Sequence, residues 1–143
     1  MASATKTVTM KAPAEKIYQV LRDYEAYSEF MDGVTSVKVI SESGNETKAE
    51  YSINMIKKFS YVLNLVHEEN KSIKWSFVEG DIFSVNSGSW ELSDNGDGTT
   101  EVVYSVEVDI KVRMMGAGMI TKKLTEVQLP ILLNSVEKRA QNL

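Results

Sequence analysis

From Val34 to Ile110 apolar and polar residues alternate with a period of two, the spacing that sends side chains to opposite faces of a β-strand. One face collects Tyr51, Ile53 and Met55; Phe59, Tyr61, Leu63 and Leu65; Ile73, Trp75 and Phe77; Trp90 and Leu92; and Tyr104, Val106, Val108 and Ile110. The other is far more polar, with Glu50, Ser52 and Asn54, Ser60 and Asn64, Lys74 and Ser76, Ser89 and Glu91, and Glu101, Ser105, Glu107 and Asp109. Turn-forming runs at Ser43-Gly44-Asn45, Glu69-Asn70-Lys71, Glu79-Gly80-Asp81 and Asp94-Asn95-Gly96-Asp97-Gly98 help divide this stretch into six strands. A sheet so patterned has one face in water and one covered.

Ahead of these strands, residues 5–11 alternate around Val8 and Met10 and predict a first strand. Ala12-Pro13-Ala14-Glu15 then opens a helix. Proline suits the first turn, where its missing N–H has no partner to lose, and Glu15 suits the positive end of the helix dipole. Ile17, Val20, Leu21 and Tyr24 follow at helical spacing. A second short helix is predicted over residues 25–31, with Tyr27, Phe30 and Met31 as its apolar residues and Asp32-Gly33 as its stop.

The cover must come from the C-terminus. Residues 115–142 are predicted as one helix, roughly 40 Å long at 1.5 Å per residue. Ile120, Leu124, Val127 and Ile131 fall on one stripe at 100° per residue, while Leu129, Leu133, Val136 and Ala140 fall nearly opposite. Pro130 lies at the change and predicts a bend. The fold class is therefore α+β: a curved seven-stranded antiparallel sheet around a long C-terminal helix, with two short helices between strands 1 and 2, in one domain spanning residues 1–143.

Composition narrows the chemistry. The 143 residues include no cysteine and a single histidine, which removes thiolate nucleophiles, disulfides and any Cys- or multi-His-based zinc site. No metal or other cofactor is expected. A net charge of −4 supplies no uniform basic surface for phosphates, so nucleic acid is not an expected partner. No run approaches the ~18 apolar residues of a spanning helix, and residues 1–16 lack the apolar core of a signal peptide; a cytoplasmic location is the expectation.

The stretches Ala12-Pro13-Ala14-Glu15-Lys16-Ile17-Tyr18, Asp23-Tyr24-Glu25-Ala26-Tyr27-Ser28-Glu29-Phe30 and Gly33-Val34-Thr35-Ser36-Val37 resemble the opening signature of the polyketide cyclase/coenzyme Q-binding branch of the START-like (SRPBCC, Bet v 1-like) superfamily. Trp75-Ser76-Phe77-Val78-Glu79-Gly80, Gly88-Ser89-Trp90-Glu91-Leu92 and residues 98–104 resemble the same branch. The resemblance covers essentially the whole chain. It implies the helix-grip fold and a hydrophobic cavity between sheet and long helix. It does not select an activity, because the branch spans aromatase/cyclases, quinone-binding chaperones and a ribosome-associated toxin.

With that cavity as the expectation, the candidate ligand-binding residues are Phe30, Tyr51, Ile53, Tyr61, Leu63, Trp75, Phe77, Trp90, Tyr104, Val106, Met115, Met119 and Ile120. Apolar walls with a few polar handles fix a ligand's orientation, and tyrosine hydroxyls and the indole N–H are such handles; packing into an ordinary core is the competing role. An empty void of ~300 Å³ would cost roughly 7 kcal/mol, against ~5–15 kcal/mol of net stability for a domain, so a cavity must be filled, wetted or collapsible. Residues 113–119, with two glycines and three methionines, suit collapse, or form a simple loop and cap.

No catalytic residue stands out. His67 has no obvious partner and is expected to be structural or exposed. Asp81, Asp94, Asp97 and Asp109 offer carboxylates for acid/base pairs, but most sit in turns, where Asp is favoured for local backbone hydrogen bonding, and the loop at 94–98 lacks the ligand spacing of an EF-hand. Lys57-Lys58 and Lys122-Lys123 are expected to be solvated, the second pair also offering transient contact with anionic lipid. The expected function is binding or transport of a hydrophobic small molecule (a quinone, lipid or polyketide-like compound) by a monomer or weak dimer. The alternatives are a polyketide cyclase/dehydratase and a ribosome-associated interaction module.

Overall fold

The computed structural model describes residues 2–55, 57–111 and 116–143. Met115, a predicted ligand contact, and Arg113 lie outside them. The strands are β1 (Ala2–Met10), β2 (Val34–Ser43), β3 (Glu46–Met55), β4 (Lys57–Glu68), β5 (Ser72–Gly80), β6 (Phe83–Asp94) and β7 (Thr100–Ile110). They form one antiparallel sheet in the order β1-β7-β6-β5-β4-β3-β2. Six successive hairpin neighbours make a meander, and β1 pairs with β7 from Ala2↔Val108 to Met10↔Thr100. That strand begins three residues earlier than its alternation predicts.

Helix α1 (Ala14–Arg22) has Pro13 as its N-cap and Glu15 in its first turn. Its buried face is Ala14, Ile17, Val20 and Leu21. The free N–H of Ala14 donates to Asp94 Oδ2 at 3.1 Å, so the β6–β7 hairpin caps the helix from outside. A 3-10 helix, Tyr24–Glu29, follows.

The C-terminal segment is three pieces rather than one bent α-helix. α2 (Ala117–Lys122) runs into a π turn (Lys123–Val127), and α3 (Leu129–Gln141) follows. Gln128 N–H donates to Lys123 O at 2.9 Å, an i→i−5 bond. The α-helical hydrogen-bond pattern therefore breaks ahead of Pro130, which sits in the first turn of α3 where its missing N–H costs nothing. The extra residue of the π turn also rotates the apolar stripe: Ile120 is buried before it, and Leu129, Leu133, Val136 and Ala140 after it. Of Val127 and Ile131, expected on the stripe of Ile120, Val127 is 49% exposed and Ile131, at 47%, is left half-exposed at the edge of the core.

The core lies between the sheet's concave face and these helices, and it includes residues from every strand. One irregularity matters for the site. β5 and β6 pair only from Ser72↔Glu91 to Trp75↔Gly88. Beyond that point β5 remains paired with β4, and β6 with β7.

Candidate ligand cavity

A cavity of about 150 Å³ lies under the C-terminal segment, over β3 to β7. Of the residues singled out from the sequence, Tyr51, Ile53, Tyr61, Leu63, Trp75, Trp90, Tyr104 and Val106 line it. Phe30, Phe77, Met119 and Ile120 do not. Phe30 instead lies under the Arg139 guanidinium, 4.7 Å from its ring centroid, and Phe77 meets Phe83 edge-on at 6.3 Å. Ile120 is fully buried in the core, while Met119 points to solvent at 64% exposure.

Lining residues missed from the sequence include Tyr27, Met31, Asp32, Val34 and Met55 on one side, and Leu124, Gln128, Leu129, Ile131 and Leu132 on the other. At the mouth these two sides meet: Gln128 Nε2 donates to Asp32 Oδ2 at 3.2 Å. The most informative omission is Asn86 in β6. It shares strand parity with Gly88, Trp90 and Leu92, so its side chain was due to face inward. A polar residue at an inward position was the signal.

The walls are aromatic. Tyr51 and Tyr61 stack at 5.3 Å with their planes 7° apart, and Phe83 meets Tyr61 edge-on at 5.1 Å. On the opposite side Tyr104 lies 4.5 Å from Trp90 and 5.8 Å from Trp75. Two glycines make room for these rings on neighbouring strands. A Cβ at Gly80 would lie 2.5 Å from Tyr61 Cβ, and one at Gly88 would lie 2.4 Å from the Trp75 indole and 2.2 Å from the Ser105 carbonyl oxygen. Close approach of this kind is a standard reason for glycine within a strand.

Polar groups inside are few and neutral. Trp75 Nε1 donates to Asn86 Oδ1 at 3.2 Å, a side-chain rung placed where the β5–β6 ladder ends. Burial pushes the phenols of Tyr51, Tyr61 and Tyr104 up, so they remain protonated donors throughout the neutral range. Tyr104 raises Tyr61 further, and the Asn86 amide beside the Tyr61 oxygen opposes that shift. Among the described residues the lining contains no Lys, Arg or His, and Asp32 at the mouth is the one carboxylate.

His67 is not among the lining residues, although its cross-strand partner Ile73 is. It is buried on β4, with Nδ1 3.4 Å from the Tyr18 hydroxyl and Nε2 3.3 Å from Thr47 Oγ1. It thus ties α1 to β3 and β4. Asp94 and Asp97 bond within their hairpin: Asp94 accepts from Gly96 N–H at 2.7 Å and Asp97 from Thr99 N–H at 3.0 Å. No group of three or more His, Cys, Asp or Glu among the described residues is placed to hold a metal. No helix among them is long and apolar enough to cross a membrane.

A curved antiparallel sheet gripping a C-terminal helical segment over an aromatic-lined cavity defines the helix-grip fold. More specifically, the chain belongs to the polyketide cyclase/dehydrase and lipid transport family, whose profile matches residues 10–136. Among solved structures it is similar to TTHA0849 from Thermus thermophilus, with 21% identity and a TM-score of 0.85 over 99% of this chain and 98% of that one. It is also similar to the Zhui aromatase/cyclase from Streptomyces, with 18% identity and a TM-score of 0.82 over 99% and 94%. A START superfamily protein from Mycobacterium smegmatis gives 21%, 0.83, 98% and 97%. At these identities the likeness concerns the fold. No curated protein matches the chain significantly by sequence.

Proposed function

We propose that this protein binds and carries a hydrophobic small molecule in the cavity between sheet and C-terminal segment. The observation that carries this reading is a cavity walled by aromatic and aliphatic side chains with isolated neutral polar groups, the composition expected of a small-molecule site. The family's association with lipid transport supports it. A volume of about 150 Å³ is below the ~300–1,000 Å³ of typical ligand pockets and near the size of a void that accepts benzene. A larger quinone, lipid or polyketide-like cargo therefore requires the walls to part. The place for that is the mouth, where Leu124 lies within the irregular backbone of the π turn and Gln128 and Ile131 follow it. The test is native mass spectrometry of the purified protein with solvent extraction of any co-purifying compound. Retention of one hydrophobic compound is expected; a protein that stays unliganded and takes up no hydrophobic compound on titration would exclude the reading.

A cyclase or dehydratase remains the competing activity, favoured by the likeness to an aromatase/cyclase. The buried tyrosines are held protonated and so offer no proton acceptor near neutral pH, and such chemistry would rest on cavity shape and hydrogen-bond donation. Unchanged turnover of an accepted polyketide mimic on substituting Tyr61 and Tyr104 would exclude their participation.

A further inference from the structure

Asn86 is a buried amide in an otherwise apolar part of the wall, 6% exposed, and an amide there is costly unless its hydrogen-bonding groups are used. Its oxygen is used. The indole N–H of Trp75 can only donate, and it meets Asn86 at 3.2 Å, so the amide oxygen must face Trp75. The NH₂ group is thereby turned the other way, toward the Tyr61 phenol and the cavity. One of its two N–H groups can serve the Tyr61 oxygen, which directs the Tyr61 O–H away from Asn86. The second N–H has no acceptor among the described residues. Tyr51 and Tyr104 add neutral hydroxyls that have no hydrogen-bond partner among the described residues and also line the cavity. The interior is therefore rich in donors. Among the described lining residues there is no cation to accompany an anion, and their one carboxylate, Asp32, is at the mouth.

Orientation of this amide depends on the strands around it. Trp75 reaches Asn86 because Gly88, its cross-strand partner, leaves space for the indole against the β6 backbone. The β5–β6 ladder ends at that pair, so the Trp75–Asn86 bond spans the place where the two strands separate.

We propose that Asn86, its amide fixed by Trp75, is the specificity-determining donor of the cavity and selects ligands that carry a neutral carbonyl oxygen over hydrocarbons and over carboxylates. The selection rests on the cavity being the binding site. A carbonyl oxygen accepts the free amide N–H and adjacent phenol protons; a hydrocarbon leaves them unpaired. A carboxylate would enter as a desolvated charge with no counter-ion among the described wall residues.

The experiment compares three probes of one carbon skeleton: tetralin, 1-tetralone and tetralin-1-carboxylate, titrated against the whole protein and followed by amide chemical shifts. The wild type is expected to bind tetralone roughly tenfold more tightly than tetralin, the scale of one hydrogen bond to a buried donor, and to bind the carboxylate more weakly than either. Asn86→Leu should bring the tetralone-to-tetralin ratio near one. Trp75→Phe, which frees the amide to rotate, should reduce the ratio partly and serves as the second variant if Asn86→Leu does not fold. Equal binding of tetralin and tetralone by the wild type, or an undiminished ratio in both variants, overturns the role of Asn86 and leaves cavity binding intact. A carboxylate that binds as tightly as the ketone overturns the charge exclusion. Failure of the wild type to bind any of the three removes the cavity reading and this inference together.

Discussion

The two ends of the sheet treat the same helical segment differently. At one end α1 and the later turns of α3 pack together, and Ile17, Leu21, Val102, Val136 and Ala140 are completely buried. Polar ties seal that end: Glu137 accepts from Lys11 N–H at 2.8 Å, Gln141 donates to the Lys11 carbonyl at 3.2 Å, and buried Thr100 donates to the Ala12 carbonyl at 2.8 Å. At the other end the π turn and first turn of α3 stand over aromatic rings without filling the space, joined to the opposite rim through Gln128 and Asp32. The difference is one of stability allocation. A tightly packed end holds the fold, so the other can retain a void and buried polar groups that lower stability.

The sharpest way to break this comparison is the same substitution made at both ends. Leu21→Ala in the sealed end is expected to cost about 4 kcal/mol, in the upper part of the range for buried leucine truncations. Leu63→Ala in the cavity wall should cost about 2 kcal/mol, because its side chain already lacks partner atoms on the cavity side. Urea unfolding of both variants measures the gap. Equal losses would mean that the cavity is closed in solution and the two ends are packed alike.

Gly88→Ala comes next, with an expected loss of about 1–3 kcal/mol from overpacking. The new methyl meets the Ser105 backbone and the Trp75 indole, and the backbone cannot yield cheaply. Displacement of Trp75 should also shift its fluorescence, which separates this effect from a general loss of stability. Thr100→Val, at the sealed end, removes one buried hydrogen bond and should cost about 1 kcal/mol with no effect on ligand binding, measurable by the same unfolding curves.

Most of the scaffold was legible because alternation is a local signal. Tyr51 with Ile53, Tyr61 with Leu63 and Tyr104 with Val106 have the parity of an inward face, and that parity carried them to the cavity wall. The C-terminal segment was less legible. A constant 100° per residue placed Val127 and Ile131 with Ile120, and a single π turn, unmarked by any residue type, moved Val127 to the outside and Ile131 to the cavity mouth. Pro130 indicated a break but stood just beyond it, because proline tolerates the start of the second helix rather than causing the end of the first. Asn86 was hidden for another reason: a lone amide in a strand usually signals the wet face, and only its parity with Trp90 and Leu92 argued otherwise. The mouth residues Asp32 and Gln128 are 96 positions apart, and no local pattern connects them.

The smallest effect concerns His67, at the polar joint of α1, β3 and β4 rather than in the cavity. Burial lowers its pKa, Arg22 lowers it further, and Glu42 acts in the opposite direction. Tyr18 and Thr47 are the uncharged groups on its two nitrogens. Because the folded value lies below the ordinary 6.5, the unfolded chain takes up the proton first as pH falls. The contribution of the neutral imidazole is thus complete above about pH 6.5 and is lost progressively below it, levelling off once the folded state also protonates. His67→Gln should remove this part of the pH dependence while keeping polar contacts to both neighbours. Stability against pH between about 7 and 5, measured for the two proteins, should give curves that converge as pH falls. The ligand-binding ratio of tetralone to tetralin should be the same in both, since the joint lies outside the cavity lining. A parallel pair of stability curves would mean that His67 is as solvated in the folded protein as in the unfolded chain, and a changed binding ratio would mean that the two regions are coupled through β4.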